Sequence, residues 1–239
     1  MSDSARALRR EFITLATVLG PVCSRVMAAS RQERAPRPVN ADQAFDELLA
    51  GNNRFRIGKR LTPRSRPEDF RALAHGQFPE AVIVSCADSR VAPEILFDVG
   101  VGDIFVVRVA GNVIDGAGVA VKGSIEYAIA ELNVPLILVL GHTGCGAVKA
   151  AIQHIDDRDA LSGAVNGLVE LIKPAVAMSK GMPGDPLENA IRKNVEIGVA
   201  RLRGLEPIVA PLVRDRKVKV VGGVYDLFTG AVTLVGKEK

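Results

Sequence analysis

Short apolar runs alternate with amphipathic segments along most of this chain. Each run is only a few residues long and rich in β-branched side chains, which is typical of strands buried on both faces of a parallel sheet. The short turn at 227–230 indicates that the last two runs form an antiparallel hairpin. The predicted strands are 81–84, 103–109, 135–141, 218–225 and 231–235.

Apolar residues recur at helical spacing between these runs. The first such segment has Asn40 as its predicted N-cap, Gln43 at the reciprocal position of a capping box, and Gly58 at its end. Strands that alternate with helices predict βαβ units with right-handed crossovers. The expected fold is an α/β domain with a central, mostly parallel β-sheet flanked by helices and an antiparallel edge hairpin at the C-terminus. The other predicted helices are 67–75, 93–97, 124–132, 146–153, 165–178 and 187–205, and 110–112 is predicted to be a loop.

The N-terminal part of the chain differs from the rest. Arg9 and Arg10 precede a weakly apolar stretch that ends in small residues, a pattern that resembles a twin-arginine export signal. The alternative is an amphipathic helix that packs on a partner subunit. Residues 31–40 are polar and rich in Pro and Arg, which predicts a linker between the segment 1–30 and one α/β domain at 41–239. The signal implies a periplasmic protein, and the alternative implies a cytoplasmic one.

The composition is that of an ordinary globular protein without a nucleic-acid footprint. The 239 residues are 48% hydrophobic and 24% charged, and the formal net charge is +4. The remainder of the chain, after the arginine-containing leader, has no basic stripe, and the absence of Trp argues against binding by base stacking. The apolar stretch of the leader is shorter than the roughly 20 residues that span a membrane. We therefore expect neither nucleic-acid binding nor a membrane span.

Two cysteines and one histidine follow predicted strands. Cys86 comes after the first strand, whereas His142 and Cys145 come after the third, with Gly144 between them to allow a tight turn. Ligands of open α/β sheets bind beyond the carboxyl ends of the strands, so these side chains are expected to meet at one edge. Two thiolates and one imidazole suit Zn²⁺, and three protein ligands leave a position open, as in catalytic zinc sites. Three cysteines, of which Cys23 lies in the leader, are too few for a disulfide framework.

A carboxylate and a guanidinium follow the first cysteine at alternate positions. In an extended or turning segment, Asp88 and Arg90 project to the same side as Cys86. Arg90 beside Asp88 would keep the carboxylate ionised and fix its orientation. Asp88 would then accept a hydrogen bond from zinc-bound hydroxide, or bind zinc itself as a fourth ligand and close the site. The alternative is a structural salt bridge beside the zinc.

The segments around these residues resemble the motifs of the β-class carbonic anhydrases, over about 41–235 of the chain. The resemblance implies that one Zn²⁺ per chain is bound by Cys86, His142 and Cys145. It also implies that Asp88 and Arg90 form the catalytic dyad of a zinc enzyme. The matching stretches are 86–91, 102–108, 110–112, 124–128, 141–148, 223–226 and 229–230.

The activity that this resemblance implies is the reversible hydration of CO₂ to bicarbonate and a proton by zinc-bound hydroxide. The family positions imply a substrate pocket formed partly across a subunit interface, in a homodimer or homotetramer. Ala110 stands where the plant-like branch of the family has Val, so that wall of the pocket is expected to be roomier. The implied pocket residues are Gln77, Phe105, Ala110 and Tyr127.

Three other functions compete with this one. Relatives of these enzymes hydrolyse CS₂ or COS with the same zinc ligands, and the sequence does not decide between the substrates. A non-catalytic, zinc-stabilised oligomer would have its site closed by Asp88. A thiol redox protein or cysteine nucleophile is disfavoured, because the chain has no Cys-x-x-Cys motif.

Overall fold

The structure is a computed structural model, and it describes residues 40–116, 118–155 and 161–236. The predicted signal or helix at 1–30 lies outside the described residues, as does the predicted linker apart from residue 40. Among the described helices, none combines the length and apolarity needed to cross a membrane.

A five-stranded sheet forms the centre of the fold. Its strands are β1 (Ala81–Ser85), β2 (Ile104–Arg108), β3 (Leu136–His142), β4 (Lys219–Tyr225) and β5 (Val232–Val235). The spatial order is β2-β1-β3-β4-β5, and the first four strands are parallel while β5 runs antiparallel to β4. The α/β class and the antiparallel edge hairpin are thus confirmed.

Helices connect the strands, as the alternating pattern predicts. Asn40 caps the first helix, because its side-chain oxygen accepts a hydrogen bond from the backbone N–H of Gln43 at 3.0 Å. A 3₁₀ turn at Ala110–Asn112 replaces the loop expected there. The described helices are α1 (Ala41–Arg56), α2 (Pro67–Leu73), α3 (Pro93–Leu96), α4 (Val119–Ala130), α5 (Gly146–Gln153), α6 (Ala164–Ser179), α7 (Pro186–Arg203) and α8 (Val209–Arg214).

The two faces of the sheet bury different residues of the same strands. In β1, Val82 and Val84 pack into one apolar cluster while Ala81 and Ile83 pack into the other, as the two-residue repeat of a strand requires. The first cluster also contains residues of α4 to α8, and the second contains residues of α1 and α3. Helices therefore cover both faces, and the carboxyl ends of the parallel strands are left to carry a site.

Three further details differ from the sequence prediction. Helix α4 begins at Val119 rather than at 124, and its first turn escapes a periodicity argument because Val119 is 89% exposed. Helix α8 was not predicted, since six residues that include Pro211 are too few to show a helical repeat. His142 is the last residue of β3, paired with Tyr225, rather than a residue beyond the strand.

Candidate metal centre

Three potential metal ligands meet where β1 and β3 end. Ser85 and Leu140 are paired neighbours on these strands, so Cys86 emerges next to the end of β3, where His142 lies. Cys145 follows after a tight turn and is the N-cap of α5. The ligand atoms of Cys86, His142 and Cys145 all lie within 4.8 Å of one another, and all three residues are buried. The predicted ligand set is therefore assembled by the fold.

The imidazole of His142 is held so that one nitrogen is free to bind a metal. Its Nδ1 lies 3.0 Å from the carbonyl oxygen of Thr143, and because a carbonyl only accepts, Nδ1 carries the proton. Nε2 is buried and has no hydrogen-bond partner among the described residues. Thr143 is itself anchored, since its N–H donates to the Tyr225 carbonyl and its hydroxyl accepts from the N–H of Leu227. The lone pair of Nε2 is thus left without a protein donor.

Cys86 sits in an environment that favours the thiolate. Its pKa is lowered to about 4, first by a hydrogen bond from Cys145 and then, against the opposing effect of burial, by backbone N–H groups. Those N–H groups belong to Gly111, at 3.2 Å from Sγ, and Asp88, at 3.4 Å. The hydrogen bond to Cys86 and burial raise the pKa of Cys145.

This group of atoms fits a metal ion. An unpartnered imidazole nitrogen and a thiolate, buried beside a second thiol, would be costly without a cation to bind. Thiolate and imidazole are donors that bind zinc and similar transition metals. The donor set, rather than any single residue, is what makes the site a metal site.

Asp88 and Arg90 form a bidentate ion pair at the edge of the ligand group. Arg90 Nε donates to Asp88 Oδ1 at 2.9 Å and Arg90 Nη2 donates to Oδ2 at 2.7 Å. The Arg90 guanidinium holds the pKa of the Asp88 carboxyl well below its usual range. Asp88 Oδ2 lies 3.8 Å from Nε2 of His142, so the carboxylate faces the place where the ligands meet.

Arg108 is a site residue that the sequence analysis did not single out. It ends β2 and pairs in register with Ser85, the residue before Cys86. Its Nε donates to the carbonyl of Cys86 at 3.2 Å and its Nη2 donates to the carbonyl of Asp88 at 2.7 Å. A charged side chain at the end of an otherwise apolar strand run was the available signal. Arg108 fixes the backbone on both sides of the turn that presents Cys86 and Asp88.

The four predicted pocket residues differ in their contacts and in their position relative to the ligand group. The rings of Phe105 and Tyr127 lie with centroids 6.4 Å apart and planes tilted by 40°. Ala110 is half-buried and directly precedes Gly111, which contacts Cys86. Gln77 lies exposed between α2 and β1, and within the described residues no hydrogen bond or ion pair joins it to the ligands.

Comparison with known proteins points to one family. Residues 81–232 match the family model described as carbonic anhydrase. Carbonic anhydrase 2 of Mycobacterium tuberculosis is 42% identical over 195 residues, which are 82% of this chain and 93% of that protein. A tetrameric β-carbonic anhydrase of Sordaria macrospora superposes with a TM-score of 0.64 at 25% identity, covering 81% of this chain and 97% of that one. The Coccomyxa β-carbonic anhydrase, solved with acetazolamide, gives a TM-score of 0.62 at 28% identity, with 80% of each chain covered.

Proposed function

This chain belongs to the β-carbonic anhydrase family, and we propose that it catalyses the reversible hydration of CO₂ to bicarbonate and a proton. The observation that carries the proposal is the ligand group itself: Cys86, His142 and Cys145 converge within 4.8 Å. The Asp88–Arg90 ion pair lies directly beside them, 3.8 Å from the unpartnered histidine nitrogen.

We assign the metal as Zn²⁺, one per chain, held by Cys86, His142 and Cys145. Two thiolates offset the charge of the ion, and the neutral imidazole presents Nε2 because Nδ1 is bonded to the Thr143 carbonyl. Zinc bound by three protein ligands would supply a water molecule of lowered pKa in its fourth position. The protein's part is to bury the three donors and to orient them towards one point.

Asp88 has the role of orienting the attacking oxygen. Its carboxylate stays ionised beside Arg90 and can only accept hydrogen bonds. An O–H group that donates to this carboxylate therefore has the lone pairs of its oxygen directed away from Asp88. Both carboxylate oxygens are fixed by Arg90, and Arg108 fixes the Asp88 backbone. An alternative use of the same carboxylate is as a fourth metal ligand that closes the site.

Substrate contact is assigned to the four positions that the family resemblance implies. We propose that Phe105, Tyr127 and Ala110 line the CO₂ pocket, with Gln77 joining it from a neighbouring subunit. The adjacent aromatic rings of Phe105 and Tyr127 support this, and the 49% exposure of Tyr127 is consistent with a wall completed by a partner.

The competing substrates are separated by one activity panel. Zinc-loaded protein is assayed with CO₂ by stopped flow and with COS and CS₂ by sulfide release, at equal enzyme concentration. We expect CO₂ hydration to dominate. Turnover of CS₂ or COS without CO₂ hydration would identify the hydrolase alternative, and zinc without turnover of any substrate would identify the non-catalytic oligomer.

Self-association as a homodimer or homotetramer is part of this proposal. A solved relative from Sordaria macrospora is described as tetrameric. Large apolar side chains are also left exposed on the described part of this chain, which favours burial against a second copy. A monomeric mass by sedimentation equilibrium would contradict it. The exposed side chains concerned are Phe70, Phe78, Ile95 and Tyr127.

We propose further that residues 1–30 act as a twin-arginine export signal and that the enzyme is periplasmic. Replacing Arg9 and Arg10 with lysine keeps the charge but removes the paired arginines, so the double variant is expected to stay in the cytoplasm. Cell fractionation beside the wild type, with Arg6→Lys as the matched control, checks this. Equal distribution of wild type and double variant would support the cytoplasmic alternative.

A further inference from the structure

We infer that Asn194, on the helix behind the sheet, is a positioning residue for the metal site, acting on Cys86 through Gly111. The inference rests on the metal binding proposed above, and it concerns a side chain that touches neither metal nor substrate. Asn194 lies in the middle of α7 and is 6% exposed. It lies outside the sequence motifs that suggested the function.

A chain of two hydrogen bonds joins Asn194 to the metal ligand. Asn194 Nδ2 donates to the carbonyl oxygen of Gly111 at 2.7 Å. The N–H of the same glycine donates to Cys86 Sγ at 3.2 Å. The carbonyl of Gly111 is thus held by a hydrogen bond from α7, while its N–H donates to the sulfur. N–H donors of this kind set the orientation of a metal-bound thiolate and the charge that it carries.

The turn that contains Gly111 is strained and needs stabilising contacts. Gly111 has φ of 70° and Asn112, a non-glycine residue, has φ of 45°, so two successive residues occupy the left-handed region. A Cβ on Gly111 would lie only 2.6 Å from Cδ1 of Ile172, so the turn is also closely packed. A short, strained turn of this kind holds its shape only when its surroundings fix it, and Asn194 supplies a short, buried bond.

Helix α7 is a firm base for this contact. Cβ atoms built on Gly141 and Gly222 would each lie 2.7 Å from the side chain of Val195, so the two glycines let the helix approach the sheet closely. Val195 follows Asn194 in the chain, and Gly141 directly precedes His142. Adjacent residues of one helix therefore contact Gly111, whose N–H donates to Cys86, and Gly141, which directly precedes His142.

The alternative is that Asn194 only satisfies a buried carbonyl and so contributes stability alone. Asn52 provides a matched control, because it is 4% exposed and its Nδ2 donates to the carbonyls of Leu96 and Gly230 at 3.1 and 2.9 Å. It belongs to α1, whose apolar residues pack into the cluster on the other face of the sheet. Losing either amide should lower the stability of the fold, but only the loss of the Asn194 amide should change metal binding.

The test compares Asn194→Asp with Asn52→Asp in the full-length, zinc-loaded protein. Two readouts are used: the rate of zinc transfer to EDTA, and the thiolate-to-cobalt charge-transfer band after substitution with Co²⁺. Asn194→Asp is expected to release zinc about tenfold faster or more and to shift the cobalt band, as expected when a partner that supports a ligand is lost. Asn52→Asp is expected to keep the wild-type rate and band at a similar loss of Tm.

Two results would overturn the inference: wild-type zinc release with an unchanged cobalt band in Asn194→Asp, or equally fast release in Asn52→Asp. If the aspartate variant does not fold, Asn194→Ser, which is smaller and uncharged, is subjected to the same criteria. A wild-type chain that takes up no zinc would overturn the proposed function together with this inference. A zinc-binding wild type with an indifferent Asn194 variant would overturn only the inference.

Discussion

His142→Ala is expected to yield a folded chain that retains no zinc after dialysis. Its CO₂ hydration rate is expected to fall by more than about 100-fold, because 100-fold is the upper end of the loss seen when a residue that only supports a ligand is removed. The reason is that His142 supplies the one buried nitrogen left without a hydrogen-bond partner in the ligand group of the described residues. Its removal takes the imidazole donor away from the ion and leaves two cysteines of the proposed ligand set. Cys86→Ser is expected to behave in the same way.

The measurement is zinc per chain by mass spectrometry, made on the same samples as stopped-flow hydration. His75→Ala is the matched control, because His75 is an exposed histidine between α2 and β1. It should keep both zinc and activity. About one zinc per chain in His142→Ala would contradict the ligand assignment, whatever its activity.

Asp88→Asn is expected to keep zinc near the wild-type level and to lose hydration activity by about 100-fold or more, the range associated with a positioned acid–base group. The amide is as large as the carboxylate, but it has lost the charge that pairs with Arg90 and one of its oxygen acceptors. The attacking oxygen then lacks the acceptor that orients it. The three ligands are unchanged, so metal content and activity should separate.

The pH dependence sharpens this prediction. Arg90 lowers the pKa of Asp88, so the stability of the pair is present above the ordinary carboxyl pKa and is lost only in acid, as the pH falls through the lowered value. Between about pH 6.5 and 9 the carboxylate stays charged, and Asp88→Asn should lower the rate by a similar factor throughout that range. Asp115→Asn is the control, since Asp115 forms ion pairs with Lys122 and Arg201. Wild-type rates in Asp88→Asn would reduce the pair to a structural salt bridge.

The sheet could be predicted from sequence because its central strands are buried along their whole length. All residues of β1 and β3 are buried, and burial on both faces requires the continuous apolar, β-branched runs that the pattern shows. The first turn of α4 and all of α8 were out of reach for the opposite reason. An exposed turn that begins at Val119 and a six-residue helix carry too little periodic signal.

The candidate ligands could also be predicted, because each follows or ends a recognisable strand and strand ends meet at one edge. Arg108 and Asn194 were not predicted, although the charge of Arg108 at the end of an apolar run was one signal. They act on backbone carbonyls, at sequence separations of 22 residues from Cys86 and 83 residues from Gly111. Any residue type offers a backbone carbonyl, so a bond to a carbonyl does not require a particular side chain at the accepting residue. Neither Arg108 nor Asn194 is therefore matched by a recognisable partner residue in the sequence.

The most direct test of the central claim is a zinc titration of the metal-free wild-type chain, followed by stopped-flow CO₂ hydration at a fixed alkaline pH. The account predicts negligible activity without zinc, a linear rise with added Zn²⁺, and saturation at one equivalent per chain. Uptake of one equivalent without hydration, or full hydration activity in the zinc-free chain, would contradict it.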